Sequence, residues 1–263
     1  ISLYLNSCLT TVKNMKMKND SEWLWLGTKI IEAYKTNGFE SAIVFGKQGT
    51  GKTTYALKVA KEVYQRLGHD PQKAWEFALD SLFFELKDAL RLMKIFRENN
   101  RTIPVVIFDD AGLWLQKYEW HREDLMKFYK VYNIIRNIVS GLIFTTPSPN
   151  DITFYVREKG WKLVKIIRNG TAKEGIPIAR AKIAVNTITI KRGKVQNVVK
   201  WKTIDDYTVH LPDWVFKEYQ ERRKVYEEKA LEELENTLNS FDGGPETTSN
   251  PSKPRKINDL LRF

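Results

Sequence analysis

Residues 46–53 read Gly-Lys-Gln-Gly-Thr-Gly-Lys-Thr, a complete G-x-x-x-x-G-K-[ST] pattern whose residue types and spacing suit one task, holding a row of phosphates. Gly46, Gly49 and Gly51 allow positive φ, so that backbone N–H groups can turn inward around an anion. Lys52 adds a point charge for the terminal phosphate, and the Thr53 hydroxyl is a ligand for Mg²⁺. The nucleotide-binding set is therefore Gly46, Lys47, Gln48, Gly49, Thr50, Gly51, Lys52, Thr53 and Thr54, with ATP and Mg²⁺ as the implied cofactors.

A second set lies at 103–110, where Ile-Pro-Val-Val-Ile-Phe runs into Asp109-Asp110. An unbroken apolar run of this length describes a strand buried on both faces, and its C-terminal end would emerge beside the phosphates. In phosphate-loop proteins this is the Walker B position. Asp109 then holds the Mg²⁺ shell opposite Thr53, giving a metal set of Thr53 and Asp109, and Asp110 is placed to orient and polarise an attacking water. A third strand at 141–144 ends in Thr145-Thr146 and is stopped by Pro147 and Pro149. A hydroxyl there can sense the terminal phosphate, or merely satisfy backbone groups. Which threonine faces the site depends on strand parity, which stays open at this point; Thr146 joins Lys52 and Asp110 in the catalytic set.

These residues need elements to position them. The apolar run 41–45 is a strand leading into the loop, and 53–67 is a helix with Ala56, Val59, Ala60, Val63 and Leu67 on one face, stopped by Gly68. Helical spacing also marks 21–34, through Trp23, Leu24, Leu26, Ile30, Ile31 and Tyr34, with Asp20 or Ser21 as N-cap. Residues 74–79 are read as another strand, 82–96 as a helix, and 123–139 as a helix carrying Arg136; with Arg122 and Arg157, this arginine is a candidate finger for a neighbouring subunit's nucleotide. A long helix over 212–239 places Leu231, Leu234 and Leu238 on one side and is expected to brace the core. From 240 onward Gly, Pro, Ser and Thr dominate and predict a disordered tail, closed by an apolar cluster at 257–263 that could dock a protein partner.

The chain has 263 residues, 42% of them hydrophobic, which suits one α/β core with a modest appendage and argues against two equal domains. Its one cysteine, Cys8, excludes an internal disulfide and suits a reducing compartment. His69, His121 and His210 lack ligand spacing, so a metal site built by the protein alone is not expected. No apolar stretch approaches the roughly 18 residues of a membrane span, and a soluble, cytoplasmic protein is expected. Residues 1–14, ahead of Met15 and Met17, are assigned no function. Charge is concentrated: residues 156–202 hold 13 Lys and Arg against two Glu, a surplus that equals the formal net charge of +11 for the whole chain. The stretch is β-like at 162–167, 179–191 and 195–202, with Gly193 at a turn. Basic residues on such a hairpin match a phosphate backbone, and Trp161 and Trp201 could stack on bases, which makes DNA the expected partner.

The motifs GKQGTGKTT, VVIFDDAG and LIFTT resemble the additional-strand (RecA-like) class of phosphate-loop ATPases, over residues 41 to 168. Within that class they look like the small ATPases of archaeal viruses and plasmids, which are similar to FtsK/HerA DNA pumps or to DnaA-like AAA+ initiators. The resemblance implies an α/β fold with a mainly parallel central sheet and helices on both faces, to which the residue patterns add a basic β-hairpin and a long C-terminal helix. The expected domains are an N-terminal segment and helix (1–40), the ATPase core with its hairpin (41–211), the C-terminal helix (212–239) and the tail (240–263). It also implies a homo-oligomeric, DNA-stimulated ATPase motor for packaging, transfer or replication. Two departures stand out: Asp110 occupies a position where many relatives carry Glu, and the basic hairpin stands where an initiator has a helical lid. A nucleotide-gated DNA-binding switch, such as an initiator, loader or partition ATPase with Lys47 as its signature lysine, is the alternative; a small-molecule kinase is a third reading.

Overall fold

A computed structural model of the chain describes residues 23–112, 115, 123–159, 162–172, 175–191 and 194–242. The chain divides into two compact units, Ile1–Gln220 and Glu221–Phe263. The first is an α/β unit around a seven-stranded sheet in the order β2-β3-β4-β1-β5-β6-β7. Strands β1 (Glu40–Phe45), β2 (Leu82–Phe83), β3 (Ile103–Phe108), β4 (Val139–Thr146) and β5 (Lys162–Thr171) run parallel, while β6 (Pro177–Lys191) and β7 (Lys194–Thr208) add an antiparallel edge. Every residue of β3 and β4 is buried, as befits strands covered on both faces, and the apolar run of β3 matches that burial.

Helix α1 (Trp25–Lys35) and the loop-borne helix α2 (Lys52–Arg66) cover one face. Helices α4 (Leu86–Glu98) and α5 (Glu123–Ile134) cover the other, where Met93, Phe128 and Tyr132 pack on Phe108, Leu142 and Phe144. β4 lies between β1 and β3, so the phosphate-loop strand and the aspartate strand are separated by one strand, the arrangement of the additional-strand phosphate-loop ATPase fold. The crossovers leave β1 and β4 in opposite directions. Their C-terminal ends therefore form a topological switch point, the place where an open parallel sheet gapes to admit a ligand.

Three expectations need correction. Residues 74–79 form no strand but lie in helix α3 (Pro71–Asp80). The side chain of Asp70 accepts the N–H of Lys73 at 3.0 Å and Pro71 fills the first turn, a start signal that outweighs the short apolar run. The helix read at 82–96 begins later, because Leu82 and Phe83 first pair with Ile107 and Phe108. The basic stretch is also no appendage: β5 is a core strand paired with β1 from Ala42↔Lys162 onward, and only the distal part of β6–β7, past Val185, reaches beyond β5 as a two-stranded arm.

Helix α1 is capped by distant groups. Its N-cap residue is Leu24, whose N–H donates to Glu62 Oε2 at 2.8 Å, and the N–H of Trp25 donates to Asp205 Oδ2 at 3.1 Å. Burial lifts the Glu62 carboxyl to about 7, with the Leu24 N–H opposing. Between the ordinary glutamate range and pH 7 the unfolded chain releases a proton that the folded chain keeps, so this group's contribution to stability falls as pH rises across that window. Glu62→Gln keeps an acceptor for Leu24 and removes the buried charge. The substitution is expected to raise unfolding free energy by about 1–3 kcal/mol at pH 8 and by little at pH 5, measured by denaturant titration. An equal change at both pH values would show that ionisation of Glu62 plays no part.

The short helix α6 (Phe154–Lys159) follows β4, and the helix read at 212–239 is α7 (Asp213–Asp242). Its first turns brace the core as expected, through buried Val215 and Tyr219. In the second unit the same helix exposes Val225, Leu231, Leu234 and Leu238, and carries the ion pairs Arg223–Glu227 at 2.7 Å and Lys224–Glu228 at 3.6 Å. Among the described residues no helix is long and apolar enough to cross a membrane. The tail from 243, residues 1–22, Asp20 and Ser21 as N-cap, Trp161 and Arg122 all lie outside the described residues.

Candidate nucleotide site

The loop after β1 takes the conformation that its glycines permit: Gly46, Gly49 and Gly51 all have positive φ, at 154°, 71° and 97°. Two of them also have no room for a side chain. A Cβ on Gly46 would lie 2.5 Å from the carbonyl oxygen of Ile166 in β5, and one on Gly51 would lie 2.8 Å from Val209. Gly49, at the crest, faces open space. Gly51 is the N-cap of α2, so the helix starts at Lys52 with its free N–H groups directed at the loop's interior. Thr50 is buried and closes the turn by donating to Lys47 O at 2.7 Å. The Lys52 ammonium, 8% exposed, donates to the carbonyls of Gly46 at 3.1 Å and Lys47 at 3.2 Å. Gln48 is exposed and Thr54 half-buried.

Thr53, the first-turn hydroxyl of α2, donates to Asp109 Oδ1 at 2.8 Å, so the two residues expected to share a metal meet directly. Thr145 donates to the same oxygen at 2.5 Å and accepts the N–H of Asp110 at 3.0 Å. Strand parity explains this. Phe108, Leu142 and Phe144 face α4 and α5, so Asp109 and Thr145, each one residue on, face α2. Thr146 points the other way and donates to Ser148 O at 3.0 Å and Asp151 Oδ2 at 3.3 Å, closing the turn after β4. The hydroxyl at the aspartate is therefore that of Thr145, and the choice of Thr146 is corrected. Asp110 sits half-buried with φ of 47°, a left-handed conformation that Asp tolerates better than most residues.

Asp109 is 1% exposed, and burial first, then the neighbouring Asp110, holds its carboxyl above the usual range; hydrogen bonds from Thr145, Thr53 and Tyr219 pull the other way. Tyr219, on α7, donates to Asp109 Oδ2 at 3.1 Å. It lies 110 residues away, and the sequence carried no local signal for it. Two further contacts on the loop come from β5 and from the antiparallel edge: Arg168 of β5 donates to Gly49 O at 2.6 Å, and the Tyr207 hydroxyl of β7 donates to Gly51 O at 2.9 Å. The finger candidates sit elsewhere. Arg136 is exposed, and Arg157 donates to Asn150 at 2.8 Å.

The donor set fits a magnesium nucleotide: a loop bent at three glycines onto the start of α2, an ammonium held by the loop's carbonyls, and a hydroxyl and a carboxylate in contact. Among known proteins, the uncharacterised protein B-251 of Sulfolobus spindle-shape virus 1 is 74% identical over 251 residues, covering 95% of this chain and 100% of that one. The chain belongs to the B-251 family. Protein ORF286 of Acidianus two-tailed virus is 29% identical over 168 residues, 63% of this chain and 54% of that one, so the match spans about half of that relative's length. No family model matches. Solved structures with some likeness include the KaiC-like protein PH0186 of Pyrococcus horikoshii OT3, at 15% identity and a TM-score of 0.35 over 61% of this chain and 92% of that one. The flagellar accessory protein FlaH of Methanocaldococcus jannaschii has 15% identity and a TM-score of 0.33 over 70% of this chain and 97% of that one. For the B-251 family the assignment of a phosphate-loop ATPase fold rests on the strand order and the loop itself.

Proposed function

We propose that the chain is a Mg²⁺-dependent ATPase that acts on DNA, a motor for packaging, transfer or replication of a viral genome. The observation that carries the ATPase reading is the meeting of Thr53, Asp109 and Thr145 on one carboxylate oxygen at the mouth of the loop. Bound ATP would supply the phosphoryl group. The chain's residues would do the rest: the loop N–H groups and Lys52 bind and orient the phosphates, Thr53 and Asp109 hold the metal, and Asp110 takes a proton from water.

DNA is favoured by the cationic surplus of 156–202, although part of it is neutralised internally. Lys162 contacts Glu40, and Arg180 forms a two-pronged pair with Asp206, at 2.7 and 2.9 Å. Lys165, Lys200 and Lys202 remain exposed. Arg168 and Tyr207, on the same strands as these lysines, touch the loop at Gly49 and Gly51, which supports a coupling of nucleotide state to DNA. ATP turnover, measured by phosphate release, is expected to rise severalfold when DNA is added. Turnover that no form of DNA alters would remove the DNA reading and leave the ATPase one.

A further inference from the structure

The basic strands carry lysines on both faces of the sheet, and the face toward α1 forms a cleft. Between the start of α1 and the β5–β6–β7 edge lies a cavity of about 480 Å³ whose walls include Trp25, Lys29, Lys162, Lys200, Trp201 and Lys202. We propose that this cleft binds a segment of single-stranded DNA, with phosphates on Lys200 and Lys202 and a base stacked on Trp201; the proposal rests on the reading that the chain engages DNA.

A β-bulge builds the cleft. Along β6–β7 the register runs Ile183↔Thr203 and then Ala184↔Trp201, leaving Lys202 as the extra residue. Past this point the alternation of β7 is reversed. Lys200 stands opposite Val185, which stands opposite Lys162, so all three share the α1 face; without the bulge Lys200 would lie with Ile204 on the other side. An inserted residue of this kind re-aims side chains, and here it collects ammonium groups from separate elements into one concavity.

Charge and aromatic exposure fit a nucleic-acid strand. Lys29 is paired with Glu32 and Lys162 with Glu40, so four ammonium groups face two carboxylates. Among the described residues, neither Lys200 nor Lys202 is in an ion pair. The Trp25 ring already has the ammonium groups of Lys29 and Lys162 at 5.8 Å from its centroid and serves as a wall. Trp201, paired with Ala184 and so rooted on the face opposite Lys200, stands at the rim of the cleft on the edge strand and, at 66% exposed, offers a surface for stacking. The volume suits a unit of nucleotide size and not the girth of a duplex.

The test is fluorescence anisotropy of a labelled oligodeoxythymidylate with the full chain across a salt series. Replacing both lysines (K200A with K202A) is expected to flatten the log–log salt slope by about 1.4, two single-strand phosphate contacts. Trp201→Ala is expected to weaken binding by about fivefold or more with the slope unchanged, and Trp201→Phe to restore most of it. Lys182→Ala, on the opposite face with Arg180 and Asp206, should leave both quantities alone. Melting curves of each variant separate loss of binding from loss of fold. Variants that bind like the parent overturn the cleft while leaving the DNA reading intact, as does a Lys182→Ala loss matching theirs. A duplex bound more tightly through the same residues overturns the single-strand assignment. A parent chain that binds no DNA of any form removes the broader reading itself.

Discussion

Lys52→Ala is expected to lower ATP hydrolysis by at least about a hundredfold, the scale on which a preorganised charge at a phosphoryl site acts. The ammonium is buried and held by the Gly46 and Lys47 carbonyls, so it is already at the centre of the loop and little reorganisation is needed for it to serve an anion. Lys52→Arg should fail almost as badly. A planar fork is larger than an ammonium, and the loop is closed on one side by β5 at Ile166 and on the other by Val209. Phosphate release under saturating ATP, with nucleotide affinity measured separately, checks both variants. An alanine variant turning over within threefold of the parent would mean that hydrolysis occurs elsewhere.

The parts legible in the sequence were those whose signals are local. Glycines requiring positive φ, an apolar run ending in two acids, and helical spacing after the loop are written within a few residues of one another, and the loop, β1, β3 and α2 follow from them. What stayed hidden depends on partners far along the chain. The capping of α1 by Glu62 and Asp205, 38 and 180 residues away, leaves no start signal at Leu24. The choice between Thr145 and Thr146 needed the parity of β4, which only its packing on α5 fixes. The role of β5 was missed for a related reason: Val, Ile and Lys alternate there as on a half-exposed hairpin, and its pairing with β1 is a tertiary fact. Tyr219 reaches Asp109 from a helix read only as a brace.

Asp110→Asn is expected to retain ATP binding and lose turnover by about a hundredfold or more, in the range for removal of a general base. The substitution isolates the carboxylate well. Asn favours the left-handed conformation that Asp110 adopts, and the backbone N–H donated to Thr145 is untouched, so the turn that joins β3 to the site should persist. The substitution leaves Thr53 in contact with Asp109, so ATP binding should hold as turnover falls. That pairing of outcomes sets the base role apart from a structural one, in which binding and turnover would decline together. Asp110→Glu adds a methylene and reproduces the residue common in the class that the motifs resemble. If Asp110 acts on water directly, Glu should restore a large part of the activity that Asn removes. If turnover by the Asn variant matches the parent, the attacking water is handled by another group, and the short side chain at 110 is a consequence of the turn's geometry alone.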